Sequence, residues 1–274
     1  NHYLNWTLEG YYDLNNIWIS KAGMIKKKEL IWVDLNILPK QGRAIGGHIV
    51  TISDDTPKGF KTSCNPNIIA KVTSQNFKKK FPFSTLFYLL WIHNIQFYGD
   101  FLSLLLILHT DSTWLKFQHY ENNCKEWQQK LSNYDWNVYF DKIFTKQFEK
   151  DIDQTLYPIL KEICAFSDKS KLKSKFLQIQ SQQYQFNPDW DEDVVLNLFK
   201  LYGKSLGWTP PSIPDLEYCI EGIRKKVPLS LVKEKGLSSF IQKNQIFSYA
   251  IPSPKIFNFT SFGLLNKSPL EKNG

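Results

Sequence analysis

Residues 81–110 constrain the fold most, because Asp100 is the only Asp, Glu, Lys or Arg in thirty consecutive positions. A stretch of this length is long enough to cross a bilayer. However, polar side chains occupy its middle, where groups without a partner would each cost several kcal/mol in lipid. These are His93, Asn94, Gln96 and Asp100, with Gly99 among them. The sequence therefore predicts a buried core and no transmembrane segment.

Within this stretch we expect two buried elements. Ser84 is a suitable N-cap for a helix that runs to about Asn94. Residues 102–108 form an uninterrupted apolar run of strand length, and Gly99 and Asp100 supply the turn between the two elements.

The predicted fold class is α+β, with an N-terminal antiparallel β-rich part, a central apolar helix and strand followed by a helical body, and a C-terminal winged-helix-like module. The chain is long enough for one large domain or two small ones. The polar, lysine-rich residues 167–175 are the best linker candidate. The predicted domains are therefore 1–166 and 176–274.

Short runs of alternating apolar and polar residues lead to the β-rich prediction. Residues 16–20 and 26–38 form a hairpin with its turn at Lys21–Gly23, residues 48–52 form a third strand, and Asp54–Gly59 is a turn. The strands would make either a small OB-like barrel or a plain antiparallel sheet that caps the core.

Residues 120–165 have helical periodicity, with Pro158 expected to kink the helix or begin a new turn. The apolar stripe of this helix comprises Phe140, Phe144, Phe148, Ile152, Leu156 and Leu160. A further helix begins at Asn187 and Pro188 and ends at Gly203. Acids cluster in its first turn, where carboxylates stabilise a helix without any metal: Asp189, Asp191, Glu192 and Asp193.

The C-terminal part has the order of a winged helix-turn-helix. Ser212 caps a helix that Arg224–Lys226 close, Pro228 opens a second helix that Gly236 ends, and residues 237–244 form a third. Residues 245–259 form a hairpin with Pro252–Pro254 at its tip. In such modules a helix after a Gly-containing turn can lie against nucleic acid, although winged helices also bind proteins.

The net charge of +8 is concentrated at the two ends of the chain. Lys and Arg outnumber Asp and Glu by 12 to 6 in residues 1–80 and by 10 to 5 in residues 201–274, whereas residues 81–200 hold 12 against 15. Two basic ends favour a polyanionic partner, with nucleic acid first and anionic lipid or an acidic protein second. The alternative is an ordinary lysine-rich surface, because lysine rarely reads base edges.

The leading functional hypothesis is a non-catalytic nucleic-acid-binding subunit of a larger nucleoprotein assembly, with other protein subunits as partners and DNA and RNA both open. Trp18 and Trp32 would stack on bases. The cationic candidates would contact phosphates: Lys26, Lys27, Lys28, Arg43, Lys78, Lys79, Lys80, Arg224, Lys225, Lys226, Lys233, Lys235, Lys243 and Lys255.

Two alternatives stay open, namely a protein-interaction scaffold and a metal-dependent, nuclease-like hydrolase. The hydrolase would use His109 and Asp111 at the end of the predicted 102–108 strand, and His48 with Asp54 and Asp55 is a second cluster. A polar residue at the end of an apolar strand is more often a cap or turn, and Asp111 with Ser112 and Thr113 suits a turn. The sequence contains no nucleophile elbow, P-loop, dinucleotide-binding glycine pattern or HExxH motif, and we predict no bound metal or cofactor.

The four cysteines are far apart and have no metal-binding spacing, so we expect ordinary buried thiols: Cys64, Cys124, Cys164 and Cys219. An intracellular location follows. A secreted protein is the minor alternative, because sequons occur at Asn5, Asn258 and Asn266.

Overall fold

The computed structural model describes residues 2–39, 43–53, 56–141, 143, 146–165, 192–262 and 267–269. The described residues mix helix and sheet, which confirms the α+β class. The strands are β1 (Gly10–Tyr12), β2 (Ile17–Ile19), β3 (Ile31–Val33), β4 (Arg43–Ile45), β5 (Ser63–Cys64), β6 (Tyr218–Ile220), β7 (Ile223–Pro228), β8 (Ile246–Ser253), β9 (Ile256–Ser261) and β10 (Lys267–Pro269). The α-helices are α1 (Lys21–Ile25), α2 (Pro66–Ile69), α3 (Thr85–Ile92), α4 (Phe101–His109), α5 (Thr113–His119), α6 (Glu121–Lys130), α7 (Asn137–Phe140), α8 (Lys146–Asp151), α9 (Tyr157–Glu162), α10 (Glu192–Leu206), α11 (Leu229–Lys235) and α12 (Leu237–Lys243).

The chain divides into two compact units, and each is discontinuous in sequence. One comprises residues 1–8 and 82–213 and contains α3 to α10, and we call it the helical unit. The other comprises residues 9–81 and 214–274 and contains all ten described strands, and we call it the sheet unit. The predicted linker at 167–175 lies outside the described residues, so the predicted domains 1–166 and 176–274 stay a prediction.

The 81–110 stretch contains two helices. Ser84 caps α3 as predicted, through its hydroxyl and the backbone N–H of Phe87. The predicted strand at 102–108 is wrong, because these residues lie in α4. Asp100 caps this helix by accepting a hydrogen bond from the N–H of Ser103 at 2.8 Å. Residues 104–108 are all buried, so a helix covered on every side produced the unbroken apolar run.

The helical body at 120–165 is confirmed, but it consists of several short helices. Four of the predicted stripe residues are at most 1% exposed, and Phe140 is also buried. The four are Phe148, Ile152, Leu156 and Leu160. Phe144 is outside the described residues. Pro158 begins a new helix as expected, since it lies in the first turn of α9, directly after a π-helical turn at Ile152–Leu156.

Helix α10 continues past the predicted end at Gly203 to Leu206, and Gly207 with a φ of +65° follows it. Gly207 therefore occupies the left-handed position after the helix that the sequence assigned to Gly203. Asn187 and Pro188 lie outside the described residues. Glu192 and Asp193 do lie in the first described turn, where carboxylates favour the positive end of the helix dipole.

Among the described residues, no helix is long and apolar enough to cross a membrane.

The sheet unit contains three small sheets. Sheet A has the order β1-β2-β6-β10, sheet B has the order β3-β4-β5, and sheet C has the order β7-β9-β8. Neighbouring strands are antiparallel in sheets A and C. In sheet B they are parallel, which contradicts the prediction of a wholly antiparallel N-terminal part.

The predicted hairpin around Lys21–Gly23 is wrong. Ser20 caps a short helix there, α1, so the chain does not turn directly back on itself. Strand β2 pairs with β1 and β6, whereas β3 belongs to sheet B. Residues 48–52 are not a strand but lie beside β8, where the N–H of Ile251 donates to the carbonyl of Ile49 at 2.8 Å.

The predicted helix from Ser212 to Lys226 is also wrong, because β6 and β7 occupy this region. Cys219 pairs with Trp18 in sheet A, and Lys225 pairs with Phe259 in sheet C. These partners are distant in sequence, and such pairing overrides a local helical pattern. The next two helices, α11 and α12, and the β8–β9 hairpin are confirmed, but the hairpin turns at Pro254 and Lys255 and not at Pro252–Pro254.

The thiol prediction holds for Cys124 and Cys219, which are buried. Cys64 is half-buried and Cys164 is exposed, so the prediction that all four cysteines are buried is wrong.

Candidate nucleic-acid interface

Most of both basic ends, namely residues 9–80 and 214–274, folds into the sheet unit. The sheet unit holds 21 Lys and Arg against 11 Asp and Glu, a net charge of +10, whereas the helical unit holds 13 against 15, a net charge of −2. Every residue predicted to bind nucleic acid lies in the sheet unit. The fold therefore brings cations from distant parts of the sequence into one unit. The linear sequence shows this charge separation only as two basic ends.

The first cationic group lies where the strands of sheet B begin. Lys26, Lys27 and Lys28 form a turn before β3, and all three are exposed. Arg43 is the first residue of β4 and pairs with Ile31, the first residue of β3. We call this end of sheet B, where all three parallel strands start, its amino edge.

The second cationic group is Lys78–Lys80, which lies at a short 3-10 helix spanning Phe77–Lys79. These three lysines directly precede the 81–110 stretch in sequence. The ammonium group of Lys80 lies 5.4 Å from the ring centroid of Phe77, a cation–π contact that orders this side chain.

The third cationic group lies on sheet C and its two helices. Arg224, Lys225 and Lys226 are consecutive exposed residues of β7, an edge strand of this sheet. Alternation places Arg224 and Lys226 on one face and Lys225 on the other. Burial raises the pKa of the Tyr12 hydroxyl to about 12, while its hydrogen bond with Thr260 and the positive charge of Arg224 oppose the rise.

The two helices of this region carry their cations away from the core. Phe240 of α12 packs edge-on against Phe257 and Phe259, with ring centroids 5.8 and 5.6 Å apart. The remaining predicted cations are all exposed: Lys233 and Lys235 on α11, Lys243 at the end of α12, and Lys255 in the hairpin turn. The N–H of Leu229 donates to the carbonyl of Lys255 at 2.9 Å, which fixes this turn beside the start of α11.

Trp18 and Trp32 are only half-buried, but both indoles already have partners. Trp18 donates from Nε1 to the Asp13 carboxylate at 2.9 Å, and the Trp32 ring meets Phe247 edge-on at 5.4 Å. The exposed large apolar residues described in the sheet unit are aliphatic: Ile25, Val33, Ile69 and Ile223. This surface therefore favours contact with phosphates over stacking of bases.

The two candidate catalytic residues lie in the helical unit, where one is buried and the other is exposed. His109 ends α4, is 4% exposed and meets the Tyr157 ring edge-on at 5.8 Å. Burial lowers the pKa of its imidazole to about 4, so it is neutral at physiological pH. Asp111 is exposed and pairs with Lys116. Its φ of +51° lies in a kink after α4, as expected for a residue that makes a turn.

His48 is exposed, and Asp54 and Asp55 lie outside the described residues. Within the part of the chain that the structure describes, no group of three or more His, Cys, Asp or Glu side chains could hold a metal ion. The placement of His48, His109 and Asp111 therefore gives no support to a metal-dependent hydrolase.

Sequence reasoning missed a network of buried asparagines where the strands of sheet B end. Asn65 donates from Nδ2 to the Asn36 side chain at 2.9 Å and to the His48 carbonyl at 2.7 Å. Asn67 donates to the Gly47 carbonyl and accepts from the Phe81 N–H, both at 2.7 Å. The signal was present in the sequence, because Asn65 and Asn67 flank Pro66 as at a helix start.

Comparison with known proteins adds no relative. No protein-family model, no curated protein and no solved structure matches this chain.

Proposed function

We propose that the sheet unit binds nucleic acid through the phosphodiester backbone, and that the chain is a non-catalytic, intracellular subunit of a larger nucleoprotein assembly. The observation that carries the proposal is the segregation of charge, with a net of +10 on the sheet unit and −2 on the helical unit. A scattered lysine surface that serves solubility alone would not require such a division.

The character of the cationic groups defines the mode of binding. Lysines dominate, and Arg43 and Arg224 are the only arginines in the chain. Lysine acts as a point charge that suits phosphate better than base edges. Because the exposed apolar residues described in this unit are aliphatic, binding would be largely independent of sequence.

The winged-helix-like interpretation of residues 223–261 belongs to the same proposal. Two short helices meet at Gly236, and an antiparallel hairpin follows them. The helix predicted before them is replaced by β6 and β7. In this interpretation α12 would lie against nucleic acid with its exposed Ser238, Ser239, Gln242 and Lys243, while Lys255 contacts a flanking phosphate.

The test is a salt titration of binding to labelled single-stranded and duplex oligonucleotides, of both DNA and RNA, followed by fluorescence anisotropy. Backbone binding predicts that the logarithm of the affinity falls linearly with the logarithm of salt concentration. An affinity that does not change between low and moderate salt, or no binding to any of the four probes, would contradict the proposal.

A matched pair of variants assigns the binding to the sheet unit. We expect the combined Arg224→Gln, Lys225→Gln and Lys226→Gln variant to bind more weakly and with a shallower salt dependence. The control is Lys146→Gln, Lys150→Gln and Lys204→Gln, which removes the same charge from exposed positions of the helical unit. Equal losses in the two variants would indicate a general effect of net charge and would contradict a localised interface.

A further inference from the structure

We propose that the amino edge of sheet B is a distinct phosphate-binding site, formed by Lys28, Arg43 and Lys61. The inference rests on the proposed nucleic-acid-binding function and adds to it a second point of contact, separate from sheet C. Lys61 was not among the residues predicted from the sequence, because its place at this edge becomes evident only from the pairing of the strands.

Strand register brings the three cations to one edge. Arg43 pairs with Ile31, and the N–H of Arg43 donates to the carbonyl of Leu30 at 3.4 Å, so the turn that carries Lys28 ends beside Arg43. On the other side, Ala44 pairs with Ser63. Lys61 therefore lies two residues before the start of β5. Adjacent strands are spaced by about 4.8 Å, so the segments that carry Lys28 and Lys61 enter the sheet on either side of β4 and Arg43.

Lys61 and Arg43 are attached to backbone that buried neighbours hold in place. Lys61 lies in the 3-10 helix Lys58–Thr62, whose Phe60 is 2% exposed and packs on Tyr249 with ring centroids 5.3 Å apart. Gly59 allows this helix to lie against Leu38, since a Cβ at Gly59 would meet the Leu38 carbonyl oxygen at 2.1 Å. Arg43 precedes Ala44, which is 1% exposed. A preorganised edge loses little entropy on binding.

The charges at this edge are available to a ligand. Lys28, Arg43 and Lys61 are all exposed, and within the described residues none of them has an ion-pair partner. Glu29, the neighbour of Lys28, is the acidic residue in the same turn. Arg43 adds a planar guanidinium, which can bind a phosphate through two parallel hydrogen bonds.

The cations of sheet C have a structural role besides the proposed binding. Lysines on an edge strand such as β7 prevent pairing with another chain, so Arg224–Lys226 serve that purpose as well. The amino edge of sheet B is the end of its strands and not a free side of the ladder. Lys28 and Lys61 lie before β3 and β5 and not on these strands, so neither lines the unpaired side of a strand, and recognition of an anion is the role that we assign to them.

The experiment compares three combined variants of the full chain. They are the amino-edge variant (Lys28→Gln, Arg43→Gln and Lys61→Gln), the β7 variant (Arg224→Gln, Lys225→Gln and Lys226→Gln), and the helical-unit control (Lys146→Gln, Lys150→Gln and Lys204→Gln). The probe is a single-stranded oligonucleotide titrated with salt. Each lost phosphate contact should lower the salt slope by about 0.7, so the amino-edge variant should lose about 2 units of slope while the control loses none.

The outcomes separate this inference from the proposed function. If the unmodified protein binds and the β7 variant weakens binding while the amino-edge variant does not, the amino-edge site is wrong and the proposed function stands. If the unmodified protein binds no oligonucleotide, both are wrong. Binding to anionic lipid vesicles that depends on the amino edge, without binding to oligonucleotides, would also overturn the site. Circular dichroism of each variant checks that the substitutions leave the fold intact.

Discussion

Each of the two units is stabilised internally by a different chemistry. The core of the helical unit is aromatic, with Phe83, Phe87, Phe117, Trp136 and Phe140 forming a continuous set of ring contacts. In the sheet unit, buried asparagine and hydroxyl side chains join irregular segments to short strands, as in the bond from Ser248 to the Asn36 carbonyl at 2.8 Å. Short strands provide few ladder hydrogen bonds, so side chains must supply the remainder.

Because of this difference, the stability of the protein and its proposed binding can be tested with different substitutions. The near-neutral helical unit can be altered at its core with no expected effect on a cationic surface, while the sheet unit carries both the polar network and the cations. We therefore expect substitutions in the helical unit to change the free energy of unfolding, and charge substitutions in the sheet unit to change binding.

The largest effect is expected from Phe87→Ala in the helical unit. Phe87 is fully buried and contacts the rings of Phe83, Trp136, Tyr139 and Phe140. Removal of a buried ring leaves a cavity and costs about 3–5 kcal/mol. Urea unfolding measures the loss, with Ile92→Ala as the control, because Ile92 lies on the same helix and is 37% exposed. Similar losses for the two variants would contradict the aromatic core.

Acid should destabilise the helical unit through His109. The folded-state pKa of its imidazole is about 4, below the ordinary value of 6.5, so the unfolded chain binds the proton more readily. The stability is thus complete above pH 6.5 and falls as the pH decreases towards 4, by about 3 kcal/mol. Unfolding free energies measured across this range should show the loss in the unmodified protein.

Two variants isolate the contribution of His109. His109→Leu should remove this part of the pH dependence, whereas His119→Leu should keep it, because His119 is exposed. Hydrogen exchange at pH 5 should show faster opening of the helical unit than at pH 7. If His109→Leu retains the full pH dependence between 6.5 and 4, another group is responsible.

The asparagine network gives the corresponding test of the sheet unit. Asn65 is fully buried, caps α2 and bridges to Asn36 and His48. Asn65→Ala removes these bonds and leaves buried partners without hydrogen bonds, at an expected cost of about 2 kcal/mol. Asn137→Ala is the control, since Asn137 is exposed in the helical unit. Hydrogen exchange should place the loss in the sheet unit, and a loss no larger than that of the control would show that the network is dispensable.

How much the sequence could predict depended on how local the determining contacts are. The cap at Ser84, the stripe from Phe148 to Leu160 and the helices around Gly236 depend on neighbours in sequence, and these predictions were confirmed. Residues 102–108 could not be assigned, because an apolar run of seven residues fits a buried strand and a buried helix equally well. The cap at Asp100 decides between them.

The candidate site was predictable in composition but not in arrangement. The excess of Lys and Arg at the two ends was visible, yet nothing local indicates that β2 pairs with β6 across about 200 residues of chain. Long-range pairing of this kind also explains why residues of the predicted 212–226 helix form β6 and β7. Lys61 joined the amino edge only through the pairing of β4 with β5, which the 18 residues between Ile45 and Cys64 do not indicate.

The smallest effect is expected from Gly236→Ala, which tests the join between α11 and α12. Gly236 has a φ of +75° and a ψ of 130°, and a Cβ built there would meet no atom within 4 Å. The cost therefore comes from the backbone alone, because L-residues avoid a φ of +75° with a ψ of 130°, and we expect a loss of about 1–2 kcal/mol. Ser230→Ala, at an exposed position of α11 that carries no proposed contact, is the control for thermal unfolding.

The cations of α11 and α12 depend on this join for their relative orientation. Gly236→Ala should therefore also weaken oligonucleotide binding slightly, while Ser230→Ala leaves the salt slope unchanged. If Gly236→Ala matches the stability of the unmodified protein, the two helices meet in another conformation and the winged-helix-like arrangement loses its basis.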